Sequence, residues 1–452
     1  MPFRRFFDRG ARRSTEEGDR DEPEADEQAI EPEAERESEV LIAEEEALPE
    51  DAPETDWRAR AAAVLPTGGS TGSKRPEALW GDASASAPTH FVQSAGCRVV
   101  DARGATYIDC TMSLGAVALG YAEERVRTAV MEAVAGGNVS ALADVREVEV
   151  AERLCQHIPC AENVQFLKTG ADAVSAAVRL ARAYTGRDEV IGCGYFGWHD
   201  WASDAAGVPQ AVRSLFHTVP FDDVDALQSI ARDVGGRLAA IVIEPVIERL
   251  PSREWVQAAR DLATTLGAVL VFDEMKTGFR LHTGGYQALA DITPDLAAFG
   301  KAMANGFPLA AVVGQRDIMA AARRTWISST LAGESTGVAA AGAVLDWHEG
   351  AEICEALAST GRAIREAVAA AVAASGIDGV EVVGLDQMWL LRFDERSRET
   401  RFLELAARHG VLFKRGAYNY ACIAHDDDAI TAIEHAASAA LVELLEEERV
   451  ER

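Results

Sequence analysis

The stretch AVLVFDEMKTGFR, residues 268–280, decides the fold. Its first five residues are apolar without alternation, and Asp273 ends the run. A strand apolar on both sides belongs in a sheet covered on both faces. Residues 257–266 before it read as a helix. Upstream, LAAIVIE (238–244) is another such strand, and 163–167 and 189–193 are two more. Residues 171–184 read as a helix with Val174, Ala177, Val178 and Ala181 on one face. Downstream, 296–299 and 309–313 are short strands. Strands alternating with helices predict an α/β fold with a parallel or mostly parallel sheet.

Working outward, 98–109 reads as a hairpin turning at Arg103-Gly104, and 123–135 as a helix stopped by a glycine pair. PTGGSTGSKRP (66–76) is a loop of turn residues. After Gly333 come alanine-rich helices at 335–349 and 352–374, a strand pair around 379–393 and a last helix at 427–447. The expected organisation is an acidic tail (1–56), the N-terminal part of a small domain carrying a substrate loop (57–100), a large domain (101–334) and a C-terminal α+β small domain (335–452).

The chain has 452 residues and a net charge of -29. Phosphate backbones and anionic membranes need basic surface, so neither is expected as a partner. Residues 1–56 hold 21 acidic and 7 basic residues and almost no aromatics beyond three Phe in the first seven positions. Residues 14–56 read as disordered, with a transient helix available at 37–48. Residues 1–13 are either a short docking element or a disordered start; they lack the apolar core of a secretory signal. No apolar run reaches membrane-spanning length. Seven cysteines with no Cys-x-x-Cys pair suggest a reduced, cytoplasmic protein rather than a disulfide framework. Cys155, His157 and Cys160 are either a metal site or a helix end; their spacing matches no standard zinc pattern, and no metal is expected.

Three local features carry chemistry. Thr169-Gly170-Ala171 opens a helix after a strand, where free N–H groups suit a phosphate and the Thr169 hydroxyl adds a donor. Asp273 ends an apolar strand, where ligands of open α/β sheets bind and where a buried carboxylate needs a cation. Lys301 follows another short strand as either a surface residue or a catalytic amine. Together they suit pyridoxal 5'-phosphate (PLP), which has a phosphate, a ring nitrogen and an aldehyde.

The motifs DARGATYID (101–109), TGADAVSAAVRLARAYTGR (169–187), GYFGWHD (194–200), IEPV (243–246), VFDEMKTGFR (271–280), PDLAAFGKAMANGFPLAAVVG (294–314) and STLAGE (329–334) follow in order. In these the chain resembles the class-III, fold-type I PLP aminotransferases, in the branch that includes glutamate-1-semialdehyde 2,1-aminomutases. The resemblance runs from about Gly68 to the last helix. It implies that Lys301 holds the cofactor as an imine and shuttles the proton, and that Asp273 pairs with the ring nitrogen. It further implies that Thr169, Gly170 and Ala171 form the phosphate cup, that Tyr195 stacks on the ring and that Met275 packs on the other face. Thr330 resembles the residue that reaches the cofactor phosphate of a neighbouring subunit, which implies a homodimer with the active site at the interface.

The chain also departs from the family's pattern. Phe196 stands where the family has His, either as packing or as an altered ring environment. Ala171 stands where the mutases have Thr, and Glu334-Ser335 where many members have Asn-Pro. Arg75 resembles an arginine that holds a substrate carboxylate, with Gly72 replacing a serine beside it; a solvated loop with a capping or interface ion pair is the other reading. Trp198 and His199 are candidates for the pocket mouth, His199 alternatively for a structural hydrogen bond. The expected function is a ping-pong aminotransferase acting on a small-molecule amino donor and a carbonyl acceptor. The rivals are an intramolecular 2,1-aminomutase and a non-catalytic relative that binds a partner.

Overall fold

The computed structural model describes residues 56–81 and 87–451. The expectations for the tail lie outside the described residues, Asp56 excepted.

Fourteen strands are found among the described residues: β1 (Phe91–Ala95), β2 (Arg98–Asp101), β3 (Thr106–Asp109), β4 (Asn163–Leu167), β5 (Glu189–Cys193), β6 (Phe216–Thr218), β7 (Leu238–Ile243), β8 (Val269–Asp273), β9 (Leu296–Phe299), β10 (Ala310–Gly314), β11 (Val380–Leu385), β12 (Met388–Phe393), β13 (Val411–Leu412) and β14 (Asn419–Tyr420). The longer helices are α1 (Glu124–Gly136), α2 (Val145–His157), α3 (Gly170–Thr185), α4 (Val224–Val234), α5 (Arg253–Leu266), α6 (Ser335–Gly350), α7 (Ile353–Ser375), α8 (Arg396–Arg408) and α9 (Asp427–Glu451).

Seven strands form the central sheet in the order β4-β10-β9-β8-β7-β5-β6. Its pairings are parallel except the two made by β10, which alone runs against the others. Every residue of β7 and β8 is buried, as their unbroken apolar runs require. The two faces take alternate residues. Ala240, Val242, Val269, Val271, Leu296 and Ala298 pack on one side, with Ala173, Ala177 and Ala181 of α3. Ile241, Ile243, Leu270, Phe272, Ala297 and Phe299 pack on the other, with Trp255 and Ala259 of α5. Alanines on α3 let that helix lie close to the sheet; a larger side chain at the fully buried Ala177 would overpack the contact by about 1–3 kcal/mol.

Two smaller sheets complete the fold, β1-β2-β3-β13 and β11-β12-β14. Strand β13 pairs in parallel with β3, Val411 opposite Ile108, and so joins a C-terminal segment to the early hairpin. No helix among the described residues is long and apolar enough to cross a membrane.

Strand register decides what meets at the sheet's edge. Ile243 lies opposite Phe272, and Asp273 opposite Ala298. Leu167 and Phe299 flank the same end of β10, facing Ala310 and Ala311. The residues that follow β4, β5, β7, β8 and β9 therefore emerge on one edge, the place where open α/β sheets bind ligands.

Candidate active site

Lys301 enters this edge on a turn after β9. Its φ is 50°, a left-handed conformation that a side chain adopts only under constraint, at about 1–3 kcal/mol. The constraint is visible. Ala302, Met303 and Ala304 are buried behind it. The Asn305 side chain accepts from the N–H groups of Ala118 (2.9 Å) and Leu119 (3.0 Å) and donates to the Gly120 carbonyl (2.9 Å). Burial, aided by the neighbouring Lys276 ammonium and opposed by Asp273 and Glu244, holds the Lys301 amine down to about 8. A fraction of it is then neutral, and nucleophilic, at neutral pH.

Asp273 is 4% exposed. Among the described residues its carboxylate accepts one hydrogen bond, from the Met275 N–H at 3.0 Å. Burial pushes it up to about 7, the Glu244 charge adds to the rise, and the Met275 N–H and the two lysines oppose it. A carboxylate held this way gains from any cationic N–H brought to it.

The N-terminus of α3 lies close by. Gly170 is needed there, because a Cβ would sit 2.8 Å from the Met275 sulfur; one on Gly300 would sit 2.9 Å from the same atom. Met275 is thus wedged between the α3 turn and the Lys301 turn. The Thr169 hydroxyl accepts from the Asp172 N–H (3.1 Å) and donates to the Asp172 carboxylate (2.7 Å), in a reciprocal capping box. The hydroxyl thus caps its own helix, and the N–H groups of Gly170 and Ala171 beside it have no helical partners.

The loop after β5 closes against this turn. At Gly194, φ 135°, a Cβ would lie 2.5 Å from that of Glu244, and at Gly197 one would lie 2.5 Å from that of Ala171. Tyr195 and Trp198 are 77% and 76% exposed on the single chain. Phe196 turns inward, stacked on Trp201 at 5.5 Å and edge-on to Phe216. It packs in the same apolar cluster as Met275. His199 bonds the Ser175 hydroxyl at 2.7 Å, and Trp201 donates to the same oxygen. Thr330 is exposed. Arg75 is half-buried, and its Nε has no hydrogen-bond partner; no described contact joins it to Lys301. Cys155 and His157 lie in the last turns of α2, with His157 bonded to Glu349, and Cys160 is buried, its N–H on Gln287.

Glu334 also finds a reason. It caps α6 through the N–H groups of Thr336 and Gly337 and pairs with Lys168 at 2.7 Å.

Five residues of the site went unassigned in the sequence. Glu244, just after β7, forms an ion pair with Lys276 and accepts from the Tyr195 N–H at 3.2 Å. The Lys276 ammonium lies 4.6 Å over the Tyr418 ring. Tyr420 lies under Arg280 and against Gly115, where a Cβ would come within 2.6 Å of its ring. Arg280 is fully buried and donates to the carbonyls of Val117, Gly115 and Ala421, fixing the left-handed turn from Met112 to Gly115. The available signal was a lysine within a stretch that otherwise reads as buried, three residues from Asp273.

The family model described as aminotransferase class-III matches residues 82–424. Among characterised relatives, the chain is 36% identical to the 2'-deamino-2'-hydroxyneamine transaminase of Streptomyces kanamyceticus, over 80% of this chain and 92% of that one. It is 32% identical to the 3-aminobutyryl-CoA aminotransferase of Cloacimonas acidaminovorans, over 84% and 94%. It is also 32% identical to the glutamate-1-semialdehyde 2,1-aminomutase of Pyrobaculum islandicum, over 75% and 88%. The solved structure of the FumI protein of Sphingopyxis sp. MTA144, in a PLP internal aldimine form, superimposes with a TM-score of 0.83 at 26% identity, covering 88% of this chain and 97% of that one.

Proposed function

Because the chain belongs to the class-III aminotransferase family and is a PLP-dependent transaminase, we propose that Lys301 is its cofactor-holding amine and proton carrier, with Asp273, Gly170, Ala171, Met275 and Tyr195 as the rest of the cofactor site. The observation that carries this reading is the pairing, on one sheet edge, of a constrained lysine of lowered basicity with a buried carboxylate that has no full cationic partner. The residues fit PLP on their own terms. Asp273 suits a protonated ring nitrogen, the first N–H groups of α3 suit a phosphate, and Met275 offers an apolar face.

When bound, PLP supplies an aldehyde that condenses with amines and a protonated ring that draws electrons from the adjoining carbon. The chain's residues do the rest. Lys301 would hold the cofactor, and its Nζ, when free, would take up and return the proton of the donor's α-carbon. Asp273 would keep the ring nitrogen protonated. After the first carbonyl product leaves, a carbonyl acceptor runs the same steps in reverse, which gives ping-pong kinetics. Thr169 positions the phosphate donors by capping α3.

The active unit in this reading is a homodimer. Leu142, Val145 and Trp326 are 83%, 73% and 89% exposed. The segments that carry them adjoin, since the Ser335 N–H donates to the Asn138 carbonyl and Gly333 lies against Glu147. Apolar surface of this kind favours a second copy, and the exposed Thr330, four residues after Trp326, is proposed to reach the partner's cofactor. Arg75, Trp198 and His199 are proposed for the substrate side, and the division 57–100, 101–334 and 335–452 for the domains.

Aminomutase relatives at comparable identity favour one second reading, return of the amine to the same molecule. Adding amino donors one at a time to the holoenzyme tests between them. A transaminase loses its near-visible absorption with an external donor and recovers it with a carbonyl acceptor. An aminomutase turns over a single amino-aldehyde with no external donor.

A further inference from the structure

The ion pair Lys276–Glu244 stands on the sheet edge that carries Lys301, Asp273 lying opposite Ala298 and Met275 packing against Gly300, and the steps above make no use of it. Both partners are largely covered, with side-chain exposures of 17% and 6%. Each is anchored from a different element. Glu244 follows β7, lies tight against Gly194 and takes the Tyr195 N–H. Lys276 follows β8 and rests on the ring of Tyr418, whose hydroxyl in turn accepts from the Glu248 N–H at 2.7 Å. Tyr418 and Tyr420 stand 6.1 Å apart on the far side. The charged and titratable groups acting on Lys301 are therefore Lys276, Asp273, Glu244 and Arg280, and those acting on Lys276 are Glu244, Tyr420 and Tyr418.

We propose that Lys276 is a positioning residue which, held by Glu244 and the Tyr418 ring, fixes a second positive charge beside Lys301 and biases the Lys301 nitrogen against protonation at neutral pH. A fixed cation next to an amine disfavours its charged form, and low dielectric strengthens the effect. Lys276 can serve because it stays charged. Burial works against its proton, but Glu244 and the two tyrosines hold it above the usual lysine range. Glu244 sets the size of the effect by offsetting part of the Lys276 charge. The two partners therefore act on Lys301 with opposite signs.

The inference rests on Lys301 being the cofactor-holding amine, and its test separates the two claims. The near-visible absorption of the holoenzyme is titrated with pH in the wild type, K276M, K276R, E244Q and K301A. K276M removes a cation and exposes Glu244, so its midpoint rises by about one pH unit or more. E244Q leaves Lys276 unopposed and lowers the midpoint. K276R restores it to within a few tenths of a unit, and the rate-pH profile moves with the absorbance. Should K276M fail to fold or to hold cofactor, the sign of the E244Q shift decides. Unmoved midpoints in folded, cofactor-loaded variants, or shifts of the same sign in K276M and E244Q, overturn the proposal. Retention of the band by K301A instead overturns the assignment of Lys301.

Discussion

Gly170 and Met275 approach so closely that a Cβ on the glycine would lie 2.8 Å from the methionine sulfur. The first turn of α3 and the segment after Asp273 are thereby packed into one surface, the one proposed to carry the cofactor. Gly170→Ala must push Met275 aside, and Met275 has Gly300 behind it. The expected result is cofactor affinity weakened by about tenfold or more, read by equilibrium dialysis. Adding Met275→Val, which shortens the obstacle, recovers much of the loss.

Asp273 sets stability against function. Its folded-state pKa is raised, so the native protein binds a proton that the unfolded chain releases between about pH 4 and pH 7. Stability from this group is full below about 4 and lost as pH rises through about 7. Cofactor-free Asp273→Asn is therefore more stable than the wild type at pH 8, by about 1–3 kcal/mol, and the gap closes towards pH 5. Denaturant melts at the two pH values check this. With cofactor bound, the same variant loses turnover by about a hundredfold or more, because an amide cannot keep the ring nitrogen protonated.

Glu334 behaves in the opposite sense. Burial resists its charge, yet Lys168, Thr336 and the Gly337 N–H hold it down to about 2. Its contribution is present above about pH 4.3 and lost as pH falls towards 2. Glu334→Ala removes the α6 cap and leaves Lys168 with the Pro308 carbonyl alone. Denaturation at pH 7 should report about 2–3 kcal/mol of destabilisation, shrinking at pH 3.

Phe196→His separates packing from chemistry. The ring lies 4% exposed between Trp201 and Phe216. A histidine there is buried among aromatics, at about 2–3 kcal/mol of stability, while the near-visible spectrum of the holoenzyme stays unchanged. A spectral change without destabilisation would mean that residue 196 does touch the ring environment.

These outcomes follow from features of unequal legibility. The central strands were plain, because β7 and β8 are apolar on both faces and nothing else suits such runs. The amphipathic helices α2, α4 and α8 carry many charges, as in VREVEVAERLCQH, and do not stand out by composition. The two-residue strand β13 exists only through its partner β3, about 300 positions earlier, which no local pattern encodes. In the site, Lys301, Asp273 and the α3 turn were legible because each sits at a strand end with its own signature. The capping box was written in Thr169-Gly170-Ala171-Asp172, and only its consequence for the threonine hydroxyl needed coordinates. Glu244 and Lys276 belong to different strand ends, so their pairing depends on the register of β7 with β8.

Lys276 beside Lys301 also sharpens the central test, because the site offers two buried-edge lysines and the account assigns the imine to one. Borohydride reduction of the holoenzyme, followed by peptide mapping by mass spectrometry, locates the cofactor covalently. The account predicts the reduced cofactor on Lys301, with Lys276 unmodified. Label on Lys276, or none on either lysine, would contradict it.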